Sequence, residues 1–145
     1  MRHWPGMWER RSVVIETEAG FFLVLGLMAL LFPLGFLTGV LLAAAFHELG
    51  HILAVRLTGG HILSLRLHAF GARIEAAPMS YGRAALCALA GPAAGAMTLL
   101  AWRSFPELAL AGLVQTVFNL LPLPHLDGGT AVRNICCKIR DFRIQ

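Results

Sequence analysis

Residues 19–46 carry no charge, and that run of 28 residues leads directly into His47-Glu48-Leu49-Gly50-His51. Few folds accommodate this combination. A carboxylate and two imidazoles are costly in an apolar segment unless they are paired or bound to a metal. On a helix, positions i and i+4 share one face. His47 and His51 can therefore present two ring nitrogens to one ion. Glu48, one residue round, is placed to act as general base on a water at that ion. His-Glu-x-x-His on a helix is the two-histidine zinc arrangement with a glutamate base. Two chance histidines, one of them a polar helix end, would leave Glu48 without a purpose in the middle of an apolar helix.

The same reasoning extends to the whole chain. Of its 145 residues 57% are hydrophobic and only 14% charged, whereas a soluble globule has about 25% charged residues. The expectation is an α-helical integral membrane protein, one membrane-embedded core over 1–145. A helix continuing from 19 to 57 would far exceed a bilayer core of about 30 Å. Pro33-Leu34-Gly35 supplies a break. The spacing predicts spans at 17–32 and 36–57, the first short enough to be re-entrant. Residues 84–102 and 108–126 are two further uncharged runs of 19, giving spans at 84–102 and 107–122. Small residues in Gly91-Pro92-Ala93-Ala94-Gly95 allow close helix approach. Between spans two and three, 61–76 is too polar to cross and reads as a β-hairpin, and 12–18 as a short strand. Residues 1–11, with Trp4, Trp8 and three arginines, suit a membrane interface. The tail 130–145 places Val132, Ile135, Cys136, Ile139 and Phe142 on one side of a helix and reads as interfacial. Three cysteines, two of them adjacent, fit neither a zinc ribbon nor a disulfide framework. No cleavable signal peptide is evident.

Charge fixes the expected topology. With four spans, one side holds Arg2, Arg10, Arg11, Arg56, Arg66, Arg73, Arg83, Arg133, Lys138, Arg140 and Arg143; the other holds only Arg103. Basic loops stay cytoplasmic. Both termini, the hairpin and the motif should therefore face the cytoplasm, and the net charge of +4 is a topology signal, not a nucleic-acid footprint. Spans two and four run in the same direction, so Asp127 comes to the depth of His47 and His51. A catalytic zinc takes three protein ligands and an open position. No other carboxylate has matching depth on a transmembrane element, which makes His47, His51 and Asp127 the candidate ligands of one zinc per chain. A helix N-cap before Gly128-Gly129-Thr130 is the alternative role for Asp127. Pro122 and Pro124 free backbone groups within the membrane, which is tolerated where irregular backbone lines a cavity.

His47-Glu48-x-x-His51 followed by Asn119-x-x-Pro122-x-Pro124-x-x-Asp127-Gly128 resembles the site-2 protease family of intramembrane zinc metallopeptidases. Ala90-Gly91-Pro92 matches a further feature of that family. The resemblance covers about residues 12–130, and the order of elements is most similar to its compact sporulation-type branch. It implies a metalloprotease with Glu48 as catalytic base and Asn119 holding the substrate backbone or stabilising the oxyanion. It also implies a membrane-associated regulatory protein as substrate, such as an anti-sigma factor or a sigma-factor precursor, and a regulatory membrane partner in a bacterial cell membrane. His125 falls at a variable position and reads as a residue at the cavity mouth. That branch usually continues into further spans and often a regulatory domain; no inserted PDZ-like domain is present here.

Hydrolysis would require an unwound substrate, and the hairpin, with strand 12–18, offers an edge for strand addition or a lid over the site. Two other classes compete. A non-proteolytic zinc-binding scaffold or sequestering protein would need no base and would normally close its site with four ligands. A metal or proton transporter would carry polar relays along its spans, and spans one and three supply almost none.

Overall fold

The computed structural model describes residues 13–69 and 71–144. The interfacial reading of residues 1–11 lies outside them. The chain runs β1 (Val14–Thr17), α1 (Ala19–Leu31), α2 (Leu34–Leu57), β2 (Ile62–His68), β3 (Gly71–Ala76), α3 (Tyr81–Met97), α4 (Pro106–Asn119) and α5 (Asp127–Ile144), with a 3-10 turn Thr98–Ala101 extending α3.

Pro33 separates α1 from α2 and occupies the N-cap of α2, where its missing N–H leaves no bond unmade. At the other end α2 stops abruptly. Gly59 turns left-handed at φ +73, its N–H bonds Arg56 O, and Gly60 N–H bonds Val55 O. That pair of bonds is a glycine-terminated Schellman cap. It releases the chain into the hairpin immediately below the motif.

β2 and β3 form the expected hairpin, antiparallel with Leu65 opposite Ile74. β1 adds to the other edge of β2, parallel, with Val14 opposite Ser64. The sheet order is β1-β2-β3, so β2 is covered on both sides and the outer edges belong to β1 and β3. Glu16 pairs with Arg66 across the parallel ladder at 2.8 Å.

Helices α2, α3 and α4 pack against one another, with α5 on a further side of α3. The interior between them is built from small residues. Ala43, Ala54, Ala85, Ala88, Ala109 and Ala131 are buried, while Leu23, Leu30, Leu57 and Leu100 are at least 74% exposed. This inverts the soluble pattern of large apolar residues inside. It matches helices that associate through close backbone approach and turn their leucines to lipid. A Cβ at Gly50 would strike the Ala90 carbonyl and Ala94, and one at Gly39 would meet the Glu107 backbone at 2.9 Å. Glycine at these two positions sets how near α3 and α4 come to α2.

Among the described residues two helices are long and apolar enough to cross a bilayer, Leu34–Leu57 and Tyr81–Ala101. α1 has 13 residues and α4 has 14, each about 20 Å at 1.5 Å per residue, shorter than the hydrocarbon core. α1 buries none of its residues and rests lightly on α2 and β2. The expected tail helix starts earlier than 130, at Asp127. It packs on α3, with Ala131 2% exposed. Val132, Ile135, Ile139 and Phe142 do form an outward stripe.

Candidate metal centre

Helix α2 places His47 and His51 one turn apart, their ring centroids separated by 4.8 Å and their planes at 79°. Their Nε2 atoms lie 3.2 Å apart. Asp127, 80 positions from His47 in sequence, brings its Oδ2 to 3.0 Å from His47 Nε2 and 3.3 Å from His51 Nε2. The three atoms form a nearly equilateral triangle. Tetrahedral zinc bonds nitrogen and oxygen at about 2.0–2.1 Å, which sets neighbouring donors about 3.3 Å apart. The triangle therefore has the dimensions of one face of a zinc tetrahedron. Among the described residues, these three form a group able to hold a metal ion.

Burial is graded across the face. The His47 side chain is 3% exposed, His51 14% and Asp127 23%. His47 is thus the most enclosed of the three and Asp127 the most accessible.

Each ligand is held by something specific. His51 Nδ1–H donates to the Cys87 carbonyl at 2.8 Å, which leaves the Nε2 lone pair turned to the centre; a second-shell acceptor of this kind fixes tautomer and ring orientation. The ring lies against Gly91, where a Cβ would overlap it. The small-residue stretch 91–95 is thus more than a generic packing motif at this position. His47 lies deeper, beside Gly95.

Asp127 is delivered by an irregular segment. α4 ends at Asn119, and residues 120–126 turn back through bonds such as Leu123 N–H to Leu121 O and Leu126 N–H to Leu123 O. Pro122 and Pro124 have no N–H to continue a helix. Gly128 and Gly129 let the start of α5 sit directly against the carbonyls of Leu120 and Leu123, where any Cβ would collide. Asp127 is the first residue of α5, one past the N-cap position that its alternative role required, and its carboxylate points to the two imidazoles.

Glu48 is half-buried and close enough to interact electrostatically with His51, His47 and Asp127, yet it is not part of the ligand triangle. Asn119 closes α4, half-buried, and its side chain makes no hydrogen bond among the described residues. His125 is exposed in the 120–126 segment. Sequence reasoning gave no sign of the Cys87 carbonyl, because any residue offers one, nor of Thr116, whose hydroxyl bonds the Pro92 carbonyl at 3.2 Å.

No family model matches the chain. It is similar to a Synechocystis protein named "Putative zinc metalloprotease", 32% identical over an alignment of 124 residues that covers 73% of this chain and 33% of that one. The chain thus spans about a third of the length of this relative. Among solved structures it is similar to the site-2 protease of Methanocaldococcus jannaschii, with a TM-score of 0.69 at 23% identity, covering 95% of this chain and 72% of the other. The two share a fold.

Proposed function

We infer that the chain belongs to the site-2 protease family and that it is the catalytic core of an intramembrane zinc metalloprotease, hydrolysing a peptide bond in a membrane-associated protein. One observation carries this reading. His47, His51 and Asp127, brought together from two helices, present three donors on a zinc-sized triangle with Glu48 beside it. A structural zinc would ask for a fourth protein ligand and no base.

Zinc held by these three residues would supply a Lewis acid for the scissile carbonyl and the attacking water. The protein supplies the rest. Glu48 accepts the proton of the attacking water and later hands it to the leaving amine. Asn119, with its amide uncommitted at the end of α4, holds the substrate backbone or the developing oxyanion. The small-residue packing of α2, α3 and α4 keeps lipid and bulk water away from the His47 side, so attack comes from the Asp127 side. A transmembrane substrate must be unwound before cleavage, and the free edge of β3 would take it as an added strand.

We place the four apolar segments 17–32, 36–57, 84–102 and 107–122 as spans of a single core, with the hairpin, both termini and the metal centre towards the cytoplasm. The basic residues on that side support the assignment. The substrate class that fits is a membrane-tethered regulatory protein, an anti-sigma factor or sigma-factor precursor in a sporulation-type pathway, with a regulatory membrane partner.

The test compares wild type with Glu48→Gln on a panel of co-expressed tethered substrates. Zinc content should be equal in both. Cleavage should fall by roughly two to four orders of magnitude, the usual contribution of a general base. Equal cleavage by both proteins would refute the mechanism. Zinc in both with cleavage by neither would favour a zinc-holding scaffold.

A further inference from the structure

The two histidines of the centre are not held alike. His51 has the Cys87 carbonyl behind it at 2.8 Å. His47 is the more buried ring, at 3% exposure, and its Nδ1 is enclosed with no hydrogen-bond partner among the described residues. With Nε2 directed at the ligand triangle, the neutral ring carries its proton on Nδ1. A buried N–H without an acceptor is unfavourable and calls for an explanation.

Thr116 of α4 lies on the same side. Its hydroxyl is buried, 7% exposed for the residue, and it donates to the Pro92 carbonyl at 3.2 Å. Donation in that direction leaves the lone pairs of Oγ1 free to accept. Gly95 of α3 stands between the two groups. The position its Cβ would occupy is 2.6 Å from Thr116 Oγ1, 3.6 Å from His47 Nδ1 and 3.7 Å from the Gly112 carbonyl. Three polar atoms from two helices, His47 Nδ1 of α2 and Thr116 Oγ1 and the Gly112 carbonyl of α4, therefore lie around the point where a side chain on Gly95 of α3 would begin. A buried water is stable where it meets two to four polar partners.

We propose that Thr116 is a positioning residue for the metal centre: one buried water beside Gly95 accepts the His47 Nδ1–H and donates to Thr116 Oγ1 and the Gly112 carbonyl. The chain Pro92 carbonyl, Thr116 hydroxyl, water, imidazole then fixes the tautomer and rotation of His47 as the Cys87 carbonyl fixes His51. It also couples the α3–α4 crossing to the ligand set. This rests on reading the triad as a metal centre.

The test measures zinc affinity by chelator competition on detergent-purified full chain for wild type, Thr116→Val and Thr116→Ser, beside apo-protein melting. Valine keeps the shape and removes the oxygen; serine keeps the oxygen. Loss of a second-shell partner typically weakens metal binding about 10–100-fold, and that loss is expected for Thr116→Val, with Thr116→Ser close to wild type. Nitrogen-15 histidine spectra of the zinc-loaded wild type should show a slowly exchanging His47 Nδ1–H, which becomes fast-exchanging in Thr116→Val. Unchanged zinc affinity in Thr116→Val, even with lowered apo melting, would overturn the proposal by reducing Thr116 to a packing role. So would Thr116→Ser as weak as Thr116→Val, or a fast-exchanging Nδ1–H in wild type. Wild type that holds no zinc would instead refute the metal reading beneath it.

Discussion

Replacing Gly91 by alanine adds one methyl group to the protein and should disable the metal centre with little effect on the fold. The added Cβ would overlap the His51 imidazole and meet its Cδ2 at 2.7 Å, where ordinary contact begins at 3.4 Å. The ring must therefore retreat by well over half an ångström, or α2 must move away from α3. Metal–ligand distances tolerate about 0.2 Å, so the displacement is several times larger than the site can absorb. Stability responds less. Alanine is better than glycine in a helix interior by about 0.8–1.0 kcal/mol, while overpacking costs about 1–3 kcal/mol. The first term offsets only part of the second, leaving a loss of at most about 2 kcal/mol. Zinc affinity has no such compensation and should fall at least about 100-fold, the upper end for disturbing the shell around a ligand. Gly26→Ala is the control, since nothing lies within 4 Å of its Cβ position; it should gain slightly in stability and bind zinc normally. Chelator competition and thermal melting on purified protein read both quantities. Wild-type zinc affinity in Gly91→Ala would refute the argument that this glycine exists to seat His51.

Two further outcomes follow from the topology and the caps. In a background lacking the native cysteines, a cysteine at exposed Ser104 should react with a membrane-impermeant reagent in intact cells. One at Ala77 should react only after permeabilisation, and the reverse pattern would contradict the four-span orientation. Gly59→Ala forces a side chain into φ +73 and should cost about 1 kcal/mol, measured by melting, with zinc binding retained because the cap lies beyond the motif.

The convergence of His47, His51 and Asp127 was legible because it follows from spacing and depth. His47 and His51 on one helical face need only the i, i+4 rule, and Asp127 needed only the expectation that the second and fourth apolar segments run in the same direction. The hairpin was legible from alternation and from Gly71, whose φ is +127 at the turn. Other features resisted for physical reasons. The parallel pairing of β1 with β2 joins segments separated by two helices, and a four-residue strand carries no mark of its partner. The start of α5 at Asp127 depends on Gly128 and Gly129 tolerating the Leu120 and Leu123 carbonyls, a tertiary contact invisible in a Gly-Gly pair that reads as a breaker. The Cys87 carbonyl that holds His51 is backbone, and backbone leaves no signature in sequence. Thr116 looks like an ordinary polar residue in a span until Gly95 and His47 are seen beside it.

The central claim is that His47, His51 and Asp127 form a three-ligand, open zinc site. X-ray absorption at the zinc edge on purified wild type tests it most directly. The account predicts one zinc per chain, two imidazole nitrogens at about 2.0–2.1 Å and a carboxylate oxygen at about 2.0–2.2 Å, with the remaining position filled by a light non-protein atom. In Asp127→Ala the carboxylate should disappear and both imidazoles should remain. Four protein ligands, any sulfur in the shell, or a spectrum unchanged by Asp127→Ala would contradict it.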